Sequence, residues 1–395
     1  MKPLAAMAGE KLKNMHLYDR WLLLAILGIL AMGILMVASA SIVISEQYYG
    51  NPFYFTIRQT ISLLLGIIAA FFVLKIPVQF WQRMGGPLLL LSFILLLFVL
   101  IPGLGHTVNG ARRWLMFGPL RVQPAELAKL FIIIYLAGYL VRHEQAVRTT
   151  LLGFIKPIFV LTILASLLLL EPDFGSAVVV FSTALMMLFL AGSRLGPFFV
   201  LMFSGCAALA LLAISSPYRL RRLTAFLDPW VNQFDSGYQL TQSLIAFGRG
   251  GWFGTGLGES VQKLFYLPES HTDFLFAVLA EELGLFGMLA ILFLFSLFIY
   301  RGVLVGRRCS EINWPFGAYL AFGITLWLGL QAFVNIGVNT GLLPTKGLTL
   351  PLMSYGGASL ITAVVSIALL LRVDYEARCE LLGMRSINNN LQHHT

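Results

Sequence analysis

Charge is what this sequence has least of. Only 11% of its 395 residues are Asp, Glu, Lys or Arg, less than half the roughly 25% of a soluble domain, while Ala, Val, Ile, Leu, Met, Phe, Trp, Tyr and Cys make up 58%. No water-soluble fold has an interior large enough for that much apolar side chain, and the same composition excludes a disordered chain. Cysteine is scarce as well. Three residues, an odd number, build no disulfide framework, and Cys206 (in a span), Cys309 and Cys379 (both cytoplasmic) are expected to be free, structural thiols. Nucleotide and hydrolase signatures are missing too. There is no G-x-x-x-x-G-K-[ST], and Gly254-Thr255-Gly256-Leu257-Gly258 does not fit G-x-G-x-x-G after a strand, so these glycines read as loop punctuation. There is no H-E-x-x-H, no Cys/His cluster for zinc and no G-x-S-x-G nucleophile. The net charge of +9 lies on no basic stripe of a polar domain, which argues against nucleic acid as a partner.

Long apolar runs are what the sequence does contain. Ten can cross a bilayer: Trp21–Ser39, Ile57–Leu74, Gly86–Ile101, Pro124–Val141, Pro157–Leu170, Phe174–Ala191, Pro197–Ile214, Phe274–Tyr300, Trp314–Val338 and Leu352–Leu371. The fold class is therefore an all-α polytopic membrane protein with ten transmembrane helices. The first run ends in Ala38-Ser39-Ala40, which looks like a cleavage site, but Trp21–Val37 is longer than a secretory h-region and reads as a retained helix. An even number of spans puts both termini on one side. Sixteen Lys and Arg fall on that side against five in the short loops opposite, which makes the termini cytoplasmic. The division is a cytoplasmic segment 1–20, a membrane domain 21–371 with a long outer loop 215–272, and a cytoplasmic tail 372–395.

The long loop mixes Arg219-Leu220-Arg221-Arg222-Leu223 with Trp230, Tyr238, Trp252 and Phe253, so it is expected to lie on the membrane. Leu240, Leu244 and Phe247 share one helical face after a Ser236 cap, as an interfacial amphipathic helix requires. The glycines of 248–258 then end it.

Charge beside a span is expensive, and here most of it sits at the outer ends. Candidates are Arg112 and Arg113, Arg121, Glu126 and Lys129, Glu171 and Asp173, His271 and Asp273, and Lys346. Each has a plainer reading: Asp173 and Asp273 as helix caps, Glu126 with Lys129 as a local i,i+3 ion pair, Arg112 and Arg113 against lipid headgroups, His271 as a loop residue, Trp252 and Phe253 as interfacial anchors. Independent caps do not require several cations. A shared site does: arginine and lysine suit a diphosphate, and a partly desolvated aspartate suits a general base. A lipid-linked diphosphate sugar fits both.

Gln123–Lys129, Glu171–Gly175, His271–Phe274 and Gly341–Gly357 resemble the motifs of the SEDS family (shape, elongation, division and sporulation), over about Tyr18 to Leu371. Pro344-Thr345-Lys346-Gly347-Leu348, in place of the Pro-Val-Thr-Gly usual in the elongation branch, is similar to the division branch. Ala358 stands where many relatives have Ser, a change expected to affect packing only. The resemblance implies a ten-helix peptidoglycan glycosyltransferase of the bacterial inner membrane at the division septum. It would use lipid II and work with a class B penicillin-binding protein (FtsI type) and other division-complex membrane proteins. It also implies Asp273 as catalytic residue, with Glu126, Lys129, Asp173, Lys346 and Arg121 around the substrate; Arg112, Arg113 and His271 are added from the outer cluster. No cofactor is called for with certainty, although a Mg²⁺ or Mn²⁺ ion between carboxylates and diphosphate would assist. Two other readings compete: a lipid II flippase, which needs polar residues through to the cytoplasmic half, and a non-catalytic scaffold, for which single outer charges are dispensable.

Overall fold

The computed structural model describes residues 17–108, 111–117, 120–214, 226–345 and 347–382. Lys346, the Arg219–Leu223 run and the expected tail at 388–395 lie outside the described residues. The chain runs α1 Arg20–Tyr49, α2 Tyr54–Lys75, α3 Val78–Leu100, β1 Gly105–Val108, β2 Ala111–Phe117, β3 Leu120–Val122, α4 Pro124–Arg142, α5 Glu144–Thr149, α6 Leu151–Leu170, α7 Phe174–Leu190, α8 Leu195–Ile214, α9 Tyr238–Gly250, α10 Leu275–Glu311, α11 Pro315–Asn339 and α12 Gly357–Leu381. Eight of these helices, α1, α2, α3, α4, α6, α10, α11 and α12, are long and apolar enough to cross a bilayer, while α7 and the start of α8 are apolar but shorter.

Helix starts follow ordinary capping chemistry. The Asp19 carboxylate accepts from Trp21 N and Leu22 N, Thr150 Oγ1 from Gly153 N, and Asp173 from Ser176 N. Pro124 and Pro315 open α4 and α11, where a missing N–H costs nothing. Helices α4, α11 and α12 are buried along most of their length. In contrast, α2 and α3 show apolar side chains such as Phe71, Phe72 and Leu90 to the outside, a surface stable only against lipid.

Four expectations are corrected. The stretch between α3 and α4 is not a plain loop but a three-stranded antiparallel sheet in the order β1-β2-β3, with Gly105 opposite Leu115 and Met116 opposite Arg121. The last span begins at Gly357 rather than Leu352, because 347–350 has no regular secondary structure and 351–355 forms turns before the helix starts. Gly237, not Ser236, precedes α9, and no side chain caps it. The apolar face of that helix, including the buried Leu240, packs onto α10 and α11, and Ser243 Oγ donates to Asn339 O at 2.7 Å.

The fourth correction concerns the glycines of the outer loop. Helix α10 is broken at Gly284, whose φ of 65° and ψ of −160° are not helical. The break frees backbone groups at membrane depth, where each must find a partner. The glycine-rich stretch supplies them: Thr255 N and Gly256 N donate to Glu281 O and Glu282 O at 2.9 and 3.1 Å, and Leu285 N and Phe286 N donate to Gly251 O and Trp252 O at 3.0 and 3.2 Å. A Cβ on Gly254 would stand 2.1 Å from Glu282 O. Here glycine is needed for close backbone approach and not for punctuation.

At the end of the bundle remote from the sheet, charges are paired inside the protein rather than replaced by apolar packing. Asp19 accepts from Arg301 and from Arg378 (3.1 Å), and Asp374 accepts from Arg308 (2.8 Å), Arg378 (2.9 Å) and the Asp19 backbone N–H (3.0 Å). This knot ties the starts and ends of α1, α10 and α12 together. Cys309 is buried close to it, and neither Cys309 nor Cys379 is in a disulfide.

Candidate functional site

One irregular segment, 347–355, gathers the outer ends of α2, α7, α10 and α11. Leu348 O accepts from Asn335 Nδ2 at 2.6 Å and Thr349 O from Gln331 Nε2 at 3.0 Å, both from α11. Ser354 O accepts from Gln59 Nε2 of α2 at 3.1 Å, and Tyr355 N donates to His271 O at 3.0 Å. A Cβ on Gly175 of α7 would meet the Leu348 side chain at 3.0 Å. A segment without regular secondary structure leaves its backbone groups unpaired within itself, which lets it bond to so many neighbours at once.

Asp273 sits just before α10, half-buried, with its carboxylate against this segment: a Cβ on Gly347 would stand 2.9 Å from Asp273 Oδ2. Its backbone carbonyl is clamped by two amides of α11, Asn335 Nδ2 at 2.8 Å and Asn339 Nδ2 at 3.0 Å, and Asn339 Oδ1 in turn accepts from Ala277 N at 3.2 Å. Gln331, Asn335 and Asn339 were not among the expected residues. Their i, i+4, i+8 spacing places all three amides on one face of an apolar span, and that was the signal available to find them.

Glu126 and Lys129 form a buried pair. The Lys129 ammonium donates to Glu126 Oε1 at 2.8 Å and to Gln331 Oε1 at 3.0 Å, with the Trp327 ring 5.5 Å away. Gln331 thus links the pair to Thr349, and through segment 347–355 to Asp273. Below Lys129 the space between α4, α7 and α11 is lined mainly by apolar side chains, Ile132, Ile133, Leu136, Val180, Ala184 and Met187, with the Thr183 hydroxyl beside them, and among the described residues no second charge faces it.

The sheet brings two arginines to the site but commits them to carbonyls. Arg113 donates to Glu171 O at 3.2 Å and to Pro172 O, and Arg112 to Leu100 O at 3.2 Å. Arg121, on β3, is exposed. Asp173 is a true helix cap, its Oδ2 accepting from Ser176 Oγ at 2.8 Å, and Gln123 Nε2 also reaches it at 3.4 Å. His271 is packed between Phe55 and Tyr355, ring centroids 4.5 and 5.6 Å away, and burial holds its imidazole below the usual histidine range against the opposing charge of Glu269. The structure therefore sets Asp273 against segment 347–355 and joins Glu126 and Lys129 to it through Gln331. It holds the segment at Tyr355 through the His271 carbonyl, and gives Asp173 to the start of α7 and Arg112 to the end of α3. Among the described residues no three of His, Cys, Asp or Glu gather in a way that would hold a metal ion.

Glu171 is fully buried and neither carboxylate oxygen has a hydrogen-bond partner. Burial first, then the nearby Asp173 charge, push its carboxyl from 4.5 up to about 8, with Arg113 opposing. A carboxyl whose folded value is raised contributes stability below its unfolded value that is lost as pH rises through the folded one. Wild-type thermal stability in nanodiscs should therefore decline between about pH 4.5 and pH 8. Glu171→Gln should flatten that decline and leave the variant the more stable protein at pH 9. A Glu171→Gln melting profile parallel to wild type would mean that Glu171 stays ionised.

The chain is similar to known proteins over nearly its whole length. Residues 20–379 match the FTSW_RODA_SPOVE family, described as cell cycle protein. The chain is 57% identical over 375 residues to the probable peptidoglycan glycosyltransferase FtsW of Legionella pneumophila subsp. pneumophila, covering 95% of each chain. To the protein of the same description from Nitrosococcus halophilus it is 57% identical over 369 residues, covering 93% of this chain and 95% of that one. Among solved structures, a chain reported under the words "Structural coordination of polymerization and crosslinking by a peptidoglycan synthase complex" superimposes with a TM-score of 0.73 at 30% identity, covering 91% of this chain and 98% of that chain. The rod shape determining protein RodA of Thermus thermophilus does so with a TM-score of 0.68 at 30% identity, covering 91% and 97%. With its motifs, its helix arrangement and nearly its whole length shared, the chain belongs to the FTSW/RODA/SPOVE family of cell cycle proteins.

Proposed function

We propose that this chain is a peptidoglycan glycosyltransferase that polymerises lipid II at the division septum, with Asp273 as its general base. The observation that carries this reading is the clamp on Asp273, whose backbone is fixed by Asn335 and Asn339 while its carboxylate faces the backbone beside Lys346. Asp273 takes the proton of the acceptor sugar's 4-hydroxyl as that oxygen attacks C1 of the lipid-linked donor, and undecaprenyl diphosphate leaves. Direct displacement inverts the anomeric carbon, so an α-linked donor gives a β-linked strand. Lys129 and Arg113 are already engaged with protein groups, so Lys346 and Arg121, the latter exposed, are the cations assigned to the departing diphosphate, with Lys129 and Asp173 shaping the floor. A Mg²⁺ or Mn²⁺ ion, if used, would take most of its ligands from that diphosphate.

The family relationship supports pairing with a class B penicillin-binding protein that cross-links the new strand, and the charge distribution supports cytoplasmic termini in the inner membrane. The lining beneath Lys129, mainly apolar beside the Thr183 hydroxyl and without a second charge among the described residues, favours chemistry at the outer face over a polar translocation path. The test is the product: purified chain, lipid II and the penicillin-binding partner should release undecaprenyl diphosphate and yield β-linked glycan. An α-linked product would exclude direct displacement by an Asp273-activated hydroxyl.

A further inference from the structure

Asp273 stands at the tip of the short arm 275–283, and the far end of that arm carries two adjacent carboxylates, Glu281 and Glu282, both with no exposed surface. Each is fully occupied, in a different way. Glu281 accepts from Ser260 Oγ, Val261 N (3.1 Å) and Gln262 N (3.2 Å), with Arg249 at 3.5 Å, so it closes a loop onto the arm's own end. Glu282 reaches outward to the rest of the bundle. It accepts from Ser39 Oγ of α1 at 2.6 and 2.7 Å and from the Lys263 ammonium at 2.8 Å. Lys263 gives its remaining donors to Ser39 Oγ at 3.1 Å and Gly258 O at 2.6 Å. All three N–H groups of the ammonium thus have acceptors, and the residue is 3% exposed.

We propose that Lys263, Glu282 and Ser39 are positioning residues: a buried ionic lock that fixes the tilt of the Asp273 arm against α1. The inference rests on the assignment of Asp273 as general base. Gly284 is the pivot, since its backbone breaks the helix between arm and long span. The glycine-rich loop bonds on both sides of the pivot, to the Glu281 and Glu282 carbonyls and to the Leu285 and Phe286 amides, and Asn335 and Asn339 hold the tip, whereas Ser39, on α1, anchors the pivot end of the arm to a further helix. At about 1.5 Å per residue, the tip lies about 16 Å from the pivot, so a rotation of about 4° displaces it by about 1 Å. A misplacement of that size costs about 10²-fold in rate. A buried Lys–Glu pair resists such rotation because tilting it open leaves both charges unsolvated.

The test compares full-length wild type, Asp273→Asn, the double variant Lys263→Met/Glu282→Gln, Lys263→Ala and Ser39→Ala, all in nanodiscs with the penicillin-binding partner and lipid II, measuring kcat, KM and melting temperature separately. The double variant leaves no lone buried charge and should melt near wild type, with KM unchanged and kcat down about 100-fold. Ser39→Ala, which loses one hydroxyl and keeps the ion pair, should fold normally and lose about tenfold in kcat, a smaller share of the same loss. Methylammonium should restore turnover to Lys263→Ala by occupying the oxygens of Glu282, Ser39 and Gly258. Wild-type kcat in both the double variant and Ser39→Ala, or losses that merely track the folded fraction, would overturn the lock. An inactive wild type, or an active Asp273→Asn, would instead overturn the assignment on which the inference rests.

Discussion

Asp273→Asn should fold, bind its partner and make no polymer, with turnover lower by at least about 10²- to 10⁴-fold, the usual contribution of a positioned acid or base. The substitution is chosen to separate two roles. Asn caps a helix as well as Asp does, and the backbone bonds from Asn335 and Asn339 to the residue-273 carbonyl are indifferent to the side chain. What Asn cannot do is accept a proton from a sugar hydroxyl. Size-exclusion elution and melting temperature should therefore match wild type while glycan chains disappear from the gel. Near-normal polymer from Asp273→Asn would reduce the residue to a structural cap.

Lys129→Met should be the most damaging single change to stability. Lys129 is 1% exposed, and its loss leaves Glu126, 5% exposed, as an unpaired carboxylate in the protein interior and deprives Gln331 Oε1 of a donor. Breaking a buried pair on one side costs about 3 to 5 kcal/mol. Replacing both partners, as Glu126→Gln/Lys129→Met, should recover most of that stability. Activity should stay low in both, because Gln331 ties the pair to Thr349 and so to the segment that faces Asp273. Melting curves and polymer yield on the three proteins decide the matter. If Lys129→Met melts as wild type and polymerises normally, the pair neither supports the fold nor floors the site.

The spans were legible because burial in lipid demands long apolar runs whatever the neighbours are. The charged residues at their outer ends stood out for the converse reason, that charge at such positions is costly and conspicuous. What remained hidden depended on contacts distant in sequence. Glu281 and Glu282 lie inside an apparently continuous span, and two adjacent carboxylates there are a warning that the helix is interrupted, yet the donors to these carboxylates lie 19 to 243 residues away. The β-sheet escaped because its strands are short, the last only Leu120–Val122, and Arg112 and Arg113 read equally well as headgroup contacts. The amides Gln331, Asn335 and Asn339 are neutral, so a search for charge passed over them. The glycines of 250–256 gave the correct impression of a broken helix, but not that a second broken helix, at Gly284, was their partner.

The central claim is chemistry at the outer face rather than transport, and one reconstitution separates the two. Purified chain and its penicillin-binding partner are placed in sealed vesicles with fluorescent lipid II in both leaflets, and polymer length and leaflet distribution are followed in the same sample. The expected result is glycan polymer formed from the leaflet that Asp273 faces, abolished by Asp273→Asn, with lipid II in the opposite leaflet left in place. Exchange of lipid II between leaflets without polymer, unaffected by Asp273→Asn, would contradict it.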